Sequence, residues 1–409
     1  MKILQINCVY GSGSTGKITR DIHLNLLEQQ IESYVCYGRG KKTGDENTIC
    51  ISSDFMSRVR RLFSMVDGMP YRFSKWTNRK LEKVISDLRP DIVHLQCING
   101  YFIDIYRLLE FLKINNFRTI LTLHAEFMYT GGCGYALECE QWKTGCIRCP
   151  RLRSGLGVRG LDRVEQNYKM MQKSFCNYSK LVIVGVSEWI SGRAKKSLIM
   201  SNKNVITIHN GIETGNIFYP RKTEKIIKKF EIPQNKKIIL SVVPNLTSDL
   251  KGGSLMMELA KSMNNDNLYF VIVGAKDKVQ NTANNVLIVP YTESQDELAE
   301  FYSLADVFVM GSKMDNYPTV CLEANSCGTP VVGFDVGGVK ETIFPNMGEV
   351  VPYGNNELLK EKIIKWIDKK ENISDEIIKK VRERNSKERM TRDYLCLYNE
   401  IMKGTLDEL

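Results

Sequence analysis

Residues 306–334, DVFVMGSKMDNYPTVCLEANSCGTPVVGF, contain the pattern that decides the fold. The runs DVFVM and PVVGF are short, apolar and β-branched, which is typical of parallel strands covered on both faces. Between them a loop leads to Pro318, which suits the first turn of a helix, and VCLEANS continues that helix. The segment therefore predicts a strand–helix–strand unit of a parallel sheet.

The same alternation of apolar run and helical stretch extends over the whole chain. The other apolar runs are KILQIN, SYVCYG, DIVHLQ, RTILTLH, KLVIVGVS, NVITIHN, KKIILSVV, LYFVIVG and NVLIVP. Two such series, in which apolar runs alternate with helical stretches, predict an α/β protein with two Rossmann-like domains. The ligands of such domains bind beyond the carboxyl ends of the strands. Gly211, Gly215 and Pro220 interrupt the pattern near the middle of the chain. We therefore expect an N-terminal domain over 1–213 and a C-terminal domain over 214–387.

The composition limits the classes of partner and compartment. Lys and Arg number 57 against 47 Asp and Glu, so the net charge of +10 suits nucleotides, phospholipid surfaces or nucleic acid. The opening MKILQINCVY lacks a long apolar signal core, and no run approaches the roughly 20 apolar residues of a membrane span. We expect a cytosolic chain, in which the 12 cysteines are reduced thiols or metal ligands and not disulfides.

A glycine-rich loop, GSGSTGKIT at 11–19, follows the first apolar run and nearly matches a phosphate-binding P-loop. A P-loop needs a hydroxyl directly after its lysine to bind Mg²⁺, but Ile18 stands there and Thr19 comes one residue late. The loop is therefore expected to meet phosphate in some other setting than a P-loop phosphotransferase.

The loop and helix after DVFVM hold the residues with the clearest chemistry. The free first-turn amides of a helix that begins at Pro318, Thr319 and Val320 form an anion site. Glu323 lies about one turn further on, where its carboxylate can accept the two hydroxyls of a ribose. Asp315 lies in the loop, on the side from which a sugar would approach. Together these residues predict a nucleotide-sugar site.

This pattern resembles the retaining glycosyltransferases of family 4, which have the GT-B fold. In that family two glutamates separated by seven residues are followed by a small-residue helix, Gly-x-Pro-Val-Val and a Gly-Gly pair; here Asp315, Glu323 and CGTPVVGFDVGG match. The resemblance implies two domains facing across a cleft, with the C-terminal helix, 388–409, packing back on the N-terminal domain. It also implies that Glu323 holds the ribose and that Asp315, in place of the usual glutamate, contacts the donor sugar.

Other segments match the same family. In SVVPNLTSDLKGG, Lys251 matches a lysine implied to neutralise the diphosphate, and Asn245 stands where an arginine is usual. In LTLHAEF, His124 matches the active-site histidine, and the loop with Gly13 and Gly16 is implied to close near the diphosphate and acceptor. Without the resemblance, a solvated lysine, a strand-end histidine and ordinary turn glycines remain alternatives.

A cysteine cluster occupies residues 130–150, TGGCGYALECEQWKTGCIRCP. Cys146 and Cys149 form a C-x-x-C turn, and Cys133 and Cys139 complete a set of four thiols that predicts structural Zn²⁺. A similar insertion occurs in some bacterial polysaccharide glycosyltransferases of this kind. Reduced packing cysteines, disulfides or a redox role remain alternatives.

A basic segment, 57–83, carries eight Lys or Arg and two acids. The aromatic residues interleaved with this charge are Phe63, Tyr71, Phe73 and Trp76. The composition suits the surface of an anionic membrane. The alternative is a solvated face of ordinary helices with a core stripe.

The resemblance implies a glycosyltransferase that moves a sugar from a nucleotide-diphosphate donor, taken to be a UDP-sugar, with retention of anomeric configuration. The implied acceptor is a glycan or lipid-linked intermediate of bacterial surface polysaccharide, and the enzyme would be cytoplasmic, or peripheral on the inner face of the cytoplasmic membrane. No Asp-x-Asp motif offers a Mg²⁺ site, so we expect no catalytic metal. A GT-B sugar-nucleotide epimerase and a zinc-containing nucleic-acid-binding protein are the alternatives, although we expect no nucleic-acid partner.

Overall fold

The structure is a computed structural model that describes residues 1–263, 265–274 and 284–405 of the chain. It divides into two compact units, one comprising Met1–His209 with Thr391–Leu409 and the other Asn210–Met390. The sequence placed the corresponding boundaries at 213/214 and 387/388. The last four residues of the predicted C-terminal helix, 406–409, lie outside the described residues.

The N-terminal unit is built on a seven-stranded parallel sheet with the order β3-β2-β1-β4-β5-β6-β7. Its strands are β1 Lys2–Val9, β2 Glu32–Arg39, β3 Thr48–Cys50, β4 Ile92–Leu95, β5 Arg118–Leu123, β6 Leu181–Gly185 and β7 Asn204–Thr207. Its helices are α1 Gly13–Glu28, α2 Asp54–Asp67, α3 Lys75–Leu88, α4 Ile105–Ile114, α5 Leu152–Leu156, α6 Val164–Phe175 and α7 Glu188–Lys196. Two short 3₁₀ turns, Glu126–Met128 and Gln141–Lys143, follow β5.

The C-terminal unit is built on a six-stranded parallel sheet with the order β10-β9-β8-β11-β12-β13. Its strands are β8 Lys237–Val242, β9 Leu268–Val273, β10 Val286–Val289, β11 Val307–Met310, β12 Val331–Phe334 and β13 Gly348–Val351. Its helices are α8 Glu224–Phe230, α9 Gly253–Ser262, α10 Gln295–Leu304, α11 Thr319–Ser326, α12 Val339–Thr342, α13 Asn356–Lys369 and α14 Asp375–Asn385. The 3₁₀ turns are Asp249–Lys251 and Lys370–Asn372.

Both sheets confirm the predicted α/β fold with two Rossmann-like domains. Central strands such as β4, β6 and β11 are buried along their whole length, as continuous apolar runs require. The strand order reverses between β1 and β4 in one sheet and between β8 and β11 in the other. Ligands of open α/β sheets bind at such switch points, beyond the carboxyl ends of the strands.

The last helix, α15 Lys387–Lys403, has the amphipathic face that the sequence predicted. Met390, Tyr394, Leu397 and Ile401 are all buried. The part from Thr391 onward belongs to the N-terminal unit, which confirms that the C-terminal helix packs back on that domain. Within the described residues, no helix combines the length and apolar character needed to cross a bilayer.

Candidate functional site

The loops after β8 and β11 meet at the switch point of the C-terminal sheet. Lys251 Nζ lies 2.7 Å from Asp315 Oδ2, and both side chains are largely buried. The backbone joins the same loops, because the Lys313 amide donates to the carbonyl oxygen of Leu250 at 3.0 Å. Lys251 and Asp315 therefore form an ion pair. From the sequence, Lys251 was expected to neutralise the diphosphate and Asp315 to contact the donor sugar.

Glycines permit this close approach of the loops. Gly252 adopts a φ of +78°, and a Cβ there would lie 2.4 Å from the backbone of Gly311. Gly337 adopts a φ of +58°, and a Cβ there would lie 1.9 Å from the carbonyl oxygen of Asp315. The same oxygen accepts a 3.0 Å hydrogen bond from the amide of Gly338. The Gly-Gly pair thus fixes the backbone that carries Asp315.

Helix α11 begins directly after this loop. Pro318 is its N-cap, so the amides of Thr319 and Val320 lie in the first turn, where a helix provides no internal acceptor. Glu323 follows one turn later with 9% of its surface exposed, and its Oε2 accepts a 2.9 Å hydrogen bond from Tyr302 Oη. Burial, and then the charge of Glu323, raise the pKa of Tyr302 well above its usual value, so this hydroxyl remains a donor.

One buried thiol, that of Cys321, is affected by the charges of both acids. Burial raises the pKa of Cys321, and Asp315 and Glu323 both add to the shift. Asn245 instead stabilises its own loop, because its Oδ1 accepts hydrogen bonds from the amide and the hydroxyl of Thr247, each at 2.7 Å. The structure therefore brings Lys251, Asp315 and Glu323 to one edge of the sheet and shows Asn245 as a loop-stabilising residue.

The glycine-rich loop of the N-terminal unit closes onto the end of β1. Gly11 donates its amide hydrogen to the carbonyl oxygen of Gly16 at 2.9 Å, and a Cβ on Gly16 would lie 3.1 Å from Val9. Gly13 has a φ of +62° and open space around it. Close packing thus explains Gly16, whereas the backbone conformation alone explains glycine at position 13.

The P-loop interpretation is incompatible with the side chains of this loop. Ile18 is 2% exposed and packs in the core. The Thr19 hydroxyl donates to the backbone oxygen of Thr15 at 2.8 Å. The position that a P-loop uses for its Mg²⁺ hydroxyl is therefore an apolar core position.

His124 lies at the end of β5 and contacts the end of β4. Its Nε2 lies 2.9 Å from Oε1 of Gln96, which is fully buried. Removal from water lowers the pKa of His124 to about 4, so its imidazole is neutral near pH 7. Gln96 was not predictable from the sequence, because a glutamine at a strand end carries no recognisable pattern.

A second residue that sequence reasoning missed lies directly beyond His124. Glu126 is fully buried and forms an ion pair with Arg193, whose Nε lies 2.7 Å from Oε1. Its oxygens also accept from the Tyr129 hydroxyl at 3.0 Å and from the amide of Ala136 at 2.7 Å. Arg193 in turn stacks over Trp142 at 4.4 Å. This network ties the cysteine-rich segment to the end of β5.

The four cysteines of that segment are free thiols that interact electrostatically. Burial raises the pKa of Cys133 to about 11 and that of Cys146 to about 12. The charges of Cys133, Cys139 and Cys149 add to the shift at Cys146. Among the described residues, however, no group of three or more His, Cys, Asp or Glu side chains has an arrangement that could hold a metal ion.

The basic segment 57–83 exposes most of its aromatic residues. Phe63, Phe73 and Trp76 are 66%, 55% and 79% exposed, whereas Tyr71 is buried and donates to the Gly132 oxygen at 3.1 Å. The other exposed large apolar side chains nearby are Phe55, Met56, Leu62 and Val66. The exposed cations around them are Arg58, Arg61, Lys75, Arg79, Lys80 and Lys83. The aromatic residues are therefore a surface feature, except for Tyr71.

Comparison with known proteins connects this geometry to a family. Residues 222–384, which contain the Lys251–Asp315 pair and Glu323, match the family described as Glycosyl transferases group 1. A putative colanic acid biosynthesis glycosyl transferase, WcaC of Escherichia coli K12, is 25% identical over 376 residues, covering 86% of this chain and 87% of that protein.

Solved structures show the same fold. Sucrose-phosphate synthase from Thermosynechococcus elongatus superposes with a TM-score of 0.68 over 99% of this chain and 100% of that one, at 14% identity. HepE of Anabaena in complex with UDP gives a TM-score of 0.64 over 98% and 100% of the two chains, at 13% identity. HepE has also been solved with UDP-glucose. The match to the glycosyl transferases of group 1 thus falls within the C-terminal unit, Asn210–Met390.

Proposed function

We propose that the chain is a retaining glycosyltransferase of family 4. It would move a sugar from a UDP-sugar to a glycan or lipid-linked acceptor in bacterial surface polysaccharide biosynthesis, on the cytoplasmic side of the membrane. The observation that carries the proposal is the meeting of Lys251, Asp315 and Glu323 at the switch point of the unit that matches the family. The name of the colanic acid relative and the UDP complexes of HepE support the acceptor and donor classes.

Each residue of the C-terminal site has a role in this proposal. Glu323, oriented by Tyr302, accepts the ribose hydroxyls through charge-assisted hydrogen bonds. The first-turn amides of α11 and the Lys251 ammonium neutralise the diphosphate, which is an anion at a helix N-terminus. Asp315 accepts hydroxyls of the donor sugar and, in the absence of donor, holds Lys251 in place.

The proposed reaction needs no metal and no covalent enzyme intermediate. The bond between the anomeric carbon and the phosphate oxygen breaks, and a bond from that carbon to the acceptor oxygen forms on the same face. The acceptor proton passes to the departing diphosphate, whose charge Lys251 and the helix amides stabilise. Asp315 is engaged by Lys251, which favours a binding role over that of a nucleophile. His124 and the loop of Gly13 and Gly16 would serve the sugar and acceptor side.

A donor screen tests the proposal. We expect UDP and one UDP-sugar to raise the melting temperature, because a ligand that binds only the folded state stabilises it. Incubation of that donor with acceptor glycans should yield a product larger by one sugar, detected by mass, and free UDP. An isomerised nucleotide sugar formed without acceptor would indicate the epimerase, and no response to any nucleotide would contradict the proposal.

We also propose that the exposed apolar and basic surface of α2 and α3 binds anionic membranes. Its support is the exposure of Phe63, Phe73 and Trp76 beside six exposed cations, which suits an apolar–headgroup boundary. Vesicles that contain phosphatidylglycerol should float the protein, and binding should fall with salt. Phe63→Ser with Trp76→Ser should abolish flotation, whereas Ile114→Ser, an exposed apolar control on α4, should not. Equal binding to neutral vesicles would contradict the proposal.

Structural Zn²⁺ at Cys133, Cys139, Cys146 and Cys149 remains a proposal. Its support is the C-x-x-C turn with two further cysteines in one segment, whose charges all affect the pKa of Cys146, and binding would draw the four thiols into a tetrahedral arrangement. Protein purified without added zinc should carry about one Zn²⁺ per chain, with sulfur about 2.3 Å from the metal. Cys146→Ser should lose the metal, and the exposed Cys176→Ser should keep it. Metal-free protein with four reactive thiols would exclude the site.

A further inference from the structure

Two buried glutamine amides link a backbone carbonyl to the ring of His124 through a continuous chain of hydrogen bonds in the N-terminal unit. Gln5 Nε2 on β1 donates to the carbonyl oxygen of Thr19 in α1 at 3.2 Å. Gln96 Nε2 donates to Gln5 Oε1 at 3.2 Å. Gln96 Oε1 then lies 2.9 Å from Nε2 of His124. Gln5, Gln96 and Thr19 are all fully buried, so none of these groups can exchange its partner for water.

The chemistry of the first acceptor sets the direction of the whole chain. A backbone carbonyl can only accept, so the Gln5 group that faces Thr19 must be its NH₂, and the group that faces Gln96 must be its oxygen. That oxygen requires an NH₂ from Gln96, which turns the Gln96 oxygen toward His124. Because an amide oxygen only accepts, His124 must donate from Nε2.

A second contact supports the same orientation of Gln96. Its Nε2 lies 3.5 Å from Nδ1 of His94, whose other nitrogen lies 2.8 Å from the Thr122 hydroxyl. Tyr398 of α15 also approaches His94 Nδ1, at 2.8 Å, and a hydroxyl can donate there. His94 Nδ1 is thus an acceptor for both neighbours, which agrees with an NH₂ on that side of Gln96.

We propose that Gln5 and Gln96 are positioning residues that hold the neutral imidazole of His124 with its proton on Nε2. Nδ1 then carries the lone pair of the neutral ring, so in the proposed reaction His124 acts as a hydrogen-bond acceptor, and not as a donor, at that nitrogen, a part that rests on the proposed function. The pKa of His124, lowered to about 4 by burial, agrees with an uncharged ring that has a single N–H near pH 7. We call the hydrogen bonds that run from the Thr19 carbonyl of α1 through Gln5 and Gln96 to His124 the relay. Because the relay starts at a backbone carbonyl, the fold itself determines which nitrogen of His124 carries the proton.

Nitrogen NMR of protein labelled with ¹⁵N-histidine tests the tautomer directly, without any ligand. The chain has only 4 histidines, so single His→Gln variants assign each ring. We expect His124 to show one neutral form with its proton on Nε2 near pH 7. A proton on Nδ1, or a mixture in the unaltered protein, would overturn the proposal, and this measurement needs no variant to fold.

A variant that does not touch His124 tests the relay. Gln5→Met removes the principal group that orients Gln96 and leaves only the long 3.5 Å contact with His94 Nδ1, so the Gln96 amide can turn and His124 should show both tautomers. Tyr398→Phe is the matched control, because it removes a hydroxyl from the same buried network but leaves Gln5 and Gln96 intact. A single Nε2–H tautomer in Gln5→Met, or a mixture in Tyr398→Phe, would contradict the relay.

Activity separates this proposal from the proposed function. In Gln5→Met, UDP affinity should stay within about twofold while sugar transfer falls about tenfold, which corresponds to about 1.4 kcal/mol in the barrier. Unchanged transfer by a protein with mixed tautomers would show that the tautomer does not serve catalysis. If UDP does not bind the unaltered protein, the proposed function fails, but the tautomer result stands.

Discussion

Glu126 and Glu323 are two buried glutamates that lie near the carboxyl edges of the two sheets, and each accepts a hydrogen bond from a tyrosine hydroxyl. Their surroundings differ. Glu126 is fully enclosed and is neutralised by Arg193. Glu323 is partly exposed and lies one turn into a helix whose first-turn amides favour anions. The comparison separates a carboxylate that stabilises a loop from one that we propose binds a ligand.

The polar groups around each glutamate follow the same division. The edge of the C-terminal sheet carries charge, in the Lys251–Asp315 pair and Glu323, and a diphosphate with its ribose needs charged partners. The edge of the N-terminal sheet carries neutral groups near His124, in the amides of Gln5 and Gln96. Neutral groups suit sugar hydroxyls, which offer donors and acceptors but no charge.

The largest effect should come from the enclosed glutamate. Glu126→Gln leaves Arg193 without its counter-ion, and breaking a buried pair costs about 3–5 kcal/mol. Urea unfolding should show this loss in the N-terminal unit, and the folded variant should bind UDP as the unaltered protein does. A loss of UDP affinity without a loss of stability would contradict the assignment of Glu126 as a structural residue and Glu323 as a ligand-binding one.

The next largest effect should be a difference in stability between alanine variants of two glycines that have similar backbone angles. Gly337→Ala combines a positive φ with a Cβ 1.9 Å from the Asp315 oxygen, so strain and overlap together should cost about 2–4 kcal/mol. Gly13→Ala has the same strain but open space and should cost about 1–2 kcal/mol. Thermal unfolding of both variants measures the difference. Equal costs would show that the Gly-Gly pair does not constrain the Asp315 backbone.

A substitution of Asp315 should reduce sugar transfer more than it reduces UDP affinity. Asp315→Asn releases Lys251 from its counter-ion, so UDP affinity should remain within about threefold or increase. Sugar transfer should fall at least about tenfold, because the asparagine lacks the charge that strengthens hydrogen bonds to sugar hydroxyls. Calorimetry with UDP and a transfer assay measure the two effects separately. A large loss of UDP affinity would place Asp315 on the nucleotide instead of the sugar.

Apolar runs predicted the fold because central strands must be apolar on both faces. The sequence missed β3, Thr48–Cys50, and β13, Gly348–Val351, which are short strands at the sheet edges and only partly buried. Partial burial removes the need for a continuous apolar run, and the usual pattern is then absent. The amphipathic C-terminal helix was predictable because its buried residues repeat with the helical period.

The candidate site was predictable from the sequence where its residues belong to one local unit. Asp315, Glu323 and the Gly-Gly pair all follow β11 within a short stretch, so their spacing carries the signal. Gln5, Gln96 and Glu126 act through partners far away in sequence, such as Thr19 and Arg193. Such contacts form only when strands and helices pack together in the folded chain, so the spacing of residues in the sequence cannot predict them.

Calorimetric titration of UDP into Glu323→Gln tests the central claim most directly. The substitution keeps the shape and the contact with Tyr302 but removes the charge, so UDP affinity should fall at least about tenfold, or 1.4 kcal/mol. Glu357→Gln, an exposed glutamate on α13, is the matched control and should bind UDP unchanged. If Glu323→Gln binds UDP with unaltered affinity, α11 is not the donor site and the proposed function is wrong.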